Sequence, residues 1–299
     1  MRYLLTGGSG LIGTQLCANL LAAGNHVVVL SRHARQLSQR PDIAVQAVAT
    51  LTDLPADYCP EVVINLAGAP IADLPWTAAR RQVLRDSRIR LTAELVAWLK
   101  TRPCLPQVVL SASAVGYYGD GGELFLDETS IPAPGFAHDL CHAWEQEALH
   151  LEALGVRVCV MRFGIVLSRQ GGFLARLKWP FLCGLGGRIG SGQQWFSWIH
   201  IDDLIAAIGF LIVHQTLQGV FNLTAPMPVR NAEFTALLAQ QLRRPAVFPV
   251  PTVALRCLGE ICTLFLDSQR VIPLRLQAAG FTFRFADLRL ALADVLAKA

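Results

Sequence analysis

The 299-residue sequence predicts an α/β fold: a doubly wound parallel sheet with a smaller C-terminal lobe. Three observations predict it. Apolar runs of strand length alternate with helical segments through most of the chain, a glycine turn joins the first run to the first helix, and the alternation stops after residue 246. Hydrophobic residues make up 53% of the chain and the mean hydropathy is +0.41, values that first suggest a membrane protein. The longest apolar stretch, LIAAIGFLIV at 204–213, ends at His214, well short of the roughly 20 residues a spanning helix needs. A parallel sheet covered on both faces accounts for the apolar excess, because its strands need not alternate.

The first strand is the short run Tyr3–Leu5, followed at once by TGGSGLIG and by a helical segment that stops at Gly24. Gly7, Gly10 and Gly13 form a G-x-x-G-x-x-G pattern: the first allows a tight turn, the second lets backbone approach a pyrophosphate, and the third lets helix pack on strand. The helix opening at Leu11 and Ile12 then offers unpaired N–H groups to phosphate. A Rossmann-type dinucleotide site follows, since a second strand, HVVVL, lies at 26–30. An NAD site expects a carboxylate at the end of that strand, whereas Ser31, Arg32 and His33 stand here with Arg35 close behind. A guanidinium suits a 2′-phosphate, so the expected cofactor is NADP(H); the plainer reading makes Arg32 a solvated loop charge.

The run at 62–71 predicts another buried strand ending in the small-residue turn Leu66, Ala67, Gly68, and a long helix follows from about Trp76 to Arg102. QVVLSASAVGYYGDGG at 107–122 reads as a strand running into a hydroxyl-rich loop. The helix containing DLCHAWEQE and the strand VRVCVMRFGIVLS at 156–168 come next. Ligands on such sheets bind beyond the carboxyl ends of the strands, which places Gly68, Ser111, Ser113, Tyr117 and Gly164 near the cofactor; Arg162 is expected to bind the cofactor too, and is also a charge to test for substrate contact.

TGGSGLIG, NLAG at 65–68, SASAVGYYGD at 111–120 and WIHIDDL at 198–204 together resemble an extended short-chain dehydrogenase/reductase. LCxxWE at 140–145, the glycine-rich stretch at 184–203 and SQRVIP at 268–273 resemble more narrowly an atypical, epimerase-like subgroup, typified by the bacterial protein YfcH. The resemblance runs from residue 1 to about 296. It implies a serine, tyrosine and lysine at the reacting centre: the tyrosine shuttles a proton, the lysine lowers its pKa and holds the ribose, and the serine orients a carbonyl. Ser113 matches the serine. No Tyr-x-x-x-Lys pair exists, because the residues four beyond Tyr3, Tyr58, Tyr117 and Tyr118 are Gly7, Val62, Gly121 and Gly122. Cys141 falls in or next to the slot of the missing lysine.

A carbonyl reduction needs a proton donor, and the candidates are Tyr117, Tyr118, His138, Cys141, His142, Glu145 and His200. Cys141 and Glu145 share a helix face, as do His138 and His142. Tyr117 is the favoured donor, with Ser113 and Cys141 beside it; the plainer roles are pocket wall for Tyr117 and apolar filler for Cys141. His200 and Asp202 are expected to fix a turn and cap the following helix.

Residues 1–170 with about 198–225 are expected to form the dinucleotide domain, and about 171–197 with 226–299 a substrate-binding lobe, with Asn231 as a helix N-cap. Arg188, Trp195 and Arg270 are the candidate substrate contacts, and the resemblance implies a sugar-nucleotide-like small molecule. No metal site is expected. The net charge of +4 comes mostly from arginine, and its densest cluster (Arg80, Arg81, Arg85, Arg88, Arg90) lies on an amphipathic helix without a reader motif, which argues against nucleic acid. Eight scattered cysteines without a C-x-x-C pair read as reduced thiols, and the N-terminus lacks a signal core; a cytoplasmic monomer or homodimer is expected, without membrane partner. Two functions stay open: an NADP(H)-dependent oxidoreductase or epimerase-like enzyme with a nonstandard donor, and a noncatalytic NADP(H)-binding redox sensor.

Overall fold

The computed structural model describes residues 1–40 and 45–297; residues 41–44 and 298–299 lie outside the described residues. Its centre is a seven-stranded sheet. The strands are β1 (Arg2–Thr6), β2 (His26–Leu30), β3 (Gln46–Val48), β4 (Val62–Asn65), β5 (Val108–Ala114), β7 (Arg157–Phe163) and β11 (Gly219–Leu223). Their order is β11-β7-β5-β4-β1-β2-β3, and every pairing is parallel. The order reverses between β1 and β4, and such a switch point leaves a crevice beyond the carboxyl ends of those two strands. Shorter strands lie outside this sheet: β6 (Phe125–Leu126), β8 (Ile165–Leu167), β9 (Trp195–Phe196) and β10 (Trp198–His200), with two more given below.

Successive strand residues supply opposite faces. Leu5, Val29, Ile64 and Leu110 pack with helices α1 (Leu11–Ala22) and α7 (Ile201–Val213), whereas Leu4, Val28, Val63 and Val109 pack with α4 (Leu91–Lys100) and α5 (Phe136–Leu149). Both faces are thus apolar, which explains the runs without alternation. The predicted helix from 76 to 102 is α3 (Ala78–Arg85) and α4 joined through a π-helical turn, Asp86–Arg90. Thr77 opens it by accepting the Arg80 N–H. Among the described residues no helix is long and apolar enough to cross a membrane.

A second apolar cluster joins α6 (Gly172–Leu182), α8 (Asn231–Leu242) and α12 (Leu288–Leu296) to the short strands through Leu174, Phe181, Phe196, Trp198, Phe234 and Leu292. Strands β12 (Val229–Arg230) and β13 (Arg270–Val271) and short helices, α9 (Thr252–Arg256), α10 (Thr263–Leu266) and α11 (Leu274–Ala278), complete this smaller C-terminal region. Two expectations need correction. Asn231 is the first residue of α8, not its N-cap; its side chain accepts the Ile189 N–H at 2.8 Å and ties the glycine-rich loop to the helix. Cys59 and Cys104 are joined in a disulfide, because the loops before β4 and β5 run side by side into adjacent strands.

Candidate functional site

The glycine turn is built by contact rather than flexibility. Gly7 has φ of 70°, and a Cβ there would stand 2.7 Å from the Leu66 carbonyl; a Cβ on Gly13 would stand 2.3 Å from the Gly7 oxygen. Both close approaches are backbone to backbone, so no side chain fits. Gly10 N–H donates to the Gly7 oxygen at 3.0 Å and opens α1, which no side chain caps. Its first N–H groups are therefore free to meet an anion, aided by the helix dipole. A cavity of about 360 Å³ lies over this turn, walled by Gly10, Leu11, Ile12 and Leu66 on one side and by Phe173, Leu264 and Phe265 on the other. At the end of β2 the Ser31 hydroxyl accepts the His33 N–H and the short helix α2 (Ala34–Ser38) begins, with Arg32 and Arg35 exposed.

Under the cleft runs a buried polar chain. Thr6 Oγ1 donates to Asn65 Oδ1 at 2.6 Å and accepts the Ala67 N–H, which fixes the Leu66–Gly68 turn over β4. Asn65 Nδ2 donates to Thr92 Oγ1 and to Ser111 Oγ, and Trp144 Nε1 also donates to Thr92. Ser111 is thereby a member of a satisfied network. Gly164 is a packing glycine, since a Cβ would meet the Ser197 oxygen at 2.8 Å.

The end of β5 carries a second network. Ser113 Oγ donates to Glu145 Oε1 at 2.6 Å; Arg162 grips the same carboxylate through Nε and Nη2, both at 2.8 Å. Arg162 Nη1 donates to the Tyr118 hydroxyl, which donates to Asn222 Oδ1. Ser113 and Arg162 are register partners on β5 and β7, and Glu145 reaches them from α5. Burial by itself would lower the Arg162 pKa, but the Glu145 bonds outweigh it and the net shift is upward. Arg162, expected to touch the cofactor, is thus engaged by Glu145, whose spacing alone offers it only as a possible acid. Burial pushes the Tyr118 phenol up to about 12, which removes it as a neutral-pH acid. Cys141 is buried on the same α5 face; burial, then Glu145, pushes its thiol up to about 11, the opposite of an activated nucleophile.

Tyr117 is half-buried, with the Arg162 guanidinium 3.3 Å from its ring centroid. His138 Nδ1 donates to the Tyr117 carbonyl at 2.8 Å and the His138 ring stacks on His142. Among the described residues the Tyr117 hydroxyl has no hydrogen-bond partner. His200 caps α7: its Nδ1 accepts the Asp202 N–H at 3.1 Å, so the neutral ring carries its proton on Nε2, facing Asp294 at 3.4 Å. That tautomer presents an N–H, not a metal-binding lone pair, to Asp294.

The three candidate substrate residues do not all meet. Trp195 lies between the guanidinium groups of Arg230 and Arg270, 4.2 and 4.1 Å from its ring, and donates to Glu123. Arg188 is exposed on the preceding loop, which Val250 and Gly190 tie down by backbone bonds.

The family model described as NAD dependent epimerase/dehydratase matches residues 3–224, and a domain of unknown function, DUF1731, matches residues 250–295. An epimerase family protein of Staphylococcus aureus is 40% identical over 301 residues, covering 99% of each chain. Among solved structures, the human epimerase family protein SDR39U1 with NADPH superposes with a TM-score of 0.90 at 32% identity, covering 100% of both chains. A nucleoside-diphosphate sugar epimerase from Corynebacterium glutamicum superposes with a TM-score of 0.78 at 31% identity, covering 98% of this chain and 57% of that one.

Proposed function

This chain belongs to the NAD dependent epimerase/dehydratase family, and from that premise we propose that it is an NADP(H)-dependent oxidoreductase or epimerase-like enzyme acting on a small, sugar-nucleotide-like substrate. The observation that carries this reading is the switch-point cleft: uncapped α1 at its floor and Phe173, Leu264 and Phe265 closing the far side, with Arg32 and Arg35 exposed just beyond the neighbouring strand β2. The NADPH in the human relative supports the choice of dinucleotide, and the sugar epimerase supports the substrate class. Residues 1–170 with about 198–225 form the dinucleotide domain in this reading, and about 171–197 with 226–299 the substrate lobe, which presents Arg188, Trp195 and Arg270.

The bound dinucleotide supplies hydride transfer. The chain's residues hold it and manage the proton. Gly7, Gly10, Leu11, Ile12 and Gly13 receive the pyrophosphate, Ser31 and Arg32 the 2′-phosphate, and Leu66, Ala67 and Gly68 form the cleft edge. Ser111, Arg162 and Gly164 act from beneath, by fixing the strand ends. Ser113 gives its proton to Glu145, so it can only accept a hydrogen bond from substrate and cannot orient a carbonyl as a donor. Cys141, with its raised thiol pKa, fills space. The proton then falls to Tyr117, whose hydroxyl is uncommitted and whose ring is clamped by Arg162.

One observation favours a second reading. Ser113 is locked on Glu145, the lysine slot holds a buried thiol, and a site so disarmed suits a noncatalytic NADP(H)-binding redox sensor. Native mass spectrometry with a cell metabolite extract separates the two. A second small molecule retained only with NADPH supports the enzyme; NADPH alone, retained across varied extracts, supports the sensor.

A further inference from the structure

Among the described residues Arg88 is a half-buried cation without a carboxylate counter-ion. It stands in the middle of the π-helical turn Asp86–Arg90, and such turns rotate the side chains that follow relative to a regular helix. Nη2 donates to the Ala69 carbonyl at 2.9 Å and Nη1 lies 3.4 Å from the Leu84 carbonyl and 3.3 Å from the Ser87 hydroxyl. These partners are neutral. Among the described residues no carboxylate pairs with Arg88; besides burial, the groups that act on it are the Cys141 thiol, which favours its charge, and then another cation, Arg80, which opposes it. Burial lowers the Arg88 pKa to about 10, which still leaves it charged at neutral pH. A charge withdrawn from water without a partner costs free energy that an oxygen-rich or anionic ligand would recover.

Its position says which ligand. The guanidinium presses on Gly68, where a Cβ would lie 3.0 Å from Cζ, and on the Trp144 ring, 5.4 Å away. Gly68 closes the turn after β4, and Cys141, whose field Arg88 shares, faces the end of β5. A dinucleotide whose 2′-phosphate meets Arg32 and whose pyrophosphate meets α1 ends over β4 and β5, beside this group. We infer that Arg88 binds the cofactor, its guanidinium donating to the hydroxyl oxygens of the nicotinamide ribose. The assignment rests on the NADP(H)-binding reading above. Arg88 moves no proton; it supplies a fixed positive charge at the place where the chain has Cys141 and no lysine. A small thiol there leaves room for it.

The test compares two probes on the full-length protein by fluorescence or calorimetric titration: NADPH, and 2′,5′-ADP, which has the adenosine half alone. Arg88→Gln should weaken NADPH roughly 10- to 30-fold, as expected for losing one or two charge-assisted hydrogen bonds, and leave 2′,5′-ADP within about twofold. Arg88→Lys should keep part of the NADPH affinity, and Cys141→Lys added to Arg88→Gln should regain at least about threefold by restoring a cation to the same space. Equal weakening of both probes would assign Arg88 a structural role and overturn the inference, as would unchanged NADPH affinity in Arg88→Gln. Failure of the unaltered chain to bind NADPH would instead sink the proposed function and this assignment with it.

Discussion

Replacing Glu145 with alanine removes the hub of the network at the end of β5. The Glu145 and Arg162 side chains are each 4% exposed, and the carboxylate takes three short hydrogen bonds, one from Ser113 and two from Arg162. Truncation leaves a guanidinium buried with only Tyr118 and a ring face for company. Hydrogen bonds to charged groups contribute about 1.5–3 kcal/mol each, and the sum is reduced by water entering the gap; breaking a buried pair from one side costs about 3–5 kcal/mol. Against a total stability of about 5–15 kcal/mol, that is a large share. Urea unfolding followed by circular dichroism and tryptophan fluorescence should show this loss for Glu145→Ala. The double variant Glu145→Leu/Arg162→Met should recover to within about 1.5 kcal/mol of the parent, because no charge is left stranded. A loss below about 1 kcal/mol in the single variant, or a double variant as unstable as the single, would refute the reasoning.

Three further outcomes are expected. Gly13→Ala places a Cβ 2.3 Å from the Gly7 oxygen and 2.6 Å from the Gly8 Cα, both backbone atoms that cannot step aside, so NADPH affinity should fall at least about tenfold by fluorescence titration. Arg32→Ala should weaken NADPH by about 10- to 100-fold and leave NADH unchanged, since only the former carries a 2′-phosphate; equal effects on both would remove Arg32 from the site. Burial, then the Asp120 charge, pushes the Asp267 carboxyl up to about 6, so the folded state holds that proton more tightly than the unfolded chain. Its stabilising contribution is complete below about pH 4 and is lost as pH rises through about 6. Asp267→Asn should therefore change thermal stability little near pH 4 and raise it by roughly 1–2 kcal/mol at pH 8, and an equal effect at both pH values would contradict the assignment.

The strand-turn-helix at the N-terminus was legible because its physics is local: Gly7 needs positive φ, and Gly13 admits no Cβ. The parallel sheet was legible for the same kind of reason, since runs such as VVIN and HVVVL are apolar on both faces. What escaped the reading is what topology brings together. Glu145 and Arg162 lie on different elements and meet because α5 packs over β5 and β7, although a charge inside VCVMRFG was a signal that it needed a buried partner. Arg88 read as one more cation on an amphipathic helix, because the π-helical turn that sets its direction has no mark in the residue pattern. The Cys59–Cys104 pair depends on β4 and β5 being neighbours, and Asn231 on the glycine-rich loop folding back to it. His200, by contrast, was read correctly as a cap, since the Asp202 N–H two residues on is a local partner.

The claim on which the rest depends is that the cleft over the Gly7–Gly13 turn takes NADP(H). Isothermal titration of the purified protein with NADPH and, separately, NADH tests it. One NADPH should bind per chain, at least about tenfold more tightly than NADH. Equal affinity would contradict the role given to Arg32, and no heat of binding from either dinucleotide, in a protein shown to be folded, would rule out a dinucleotide site over this turn.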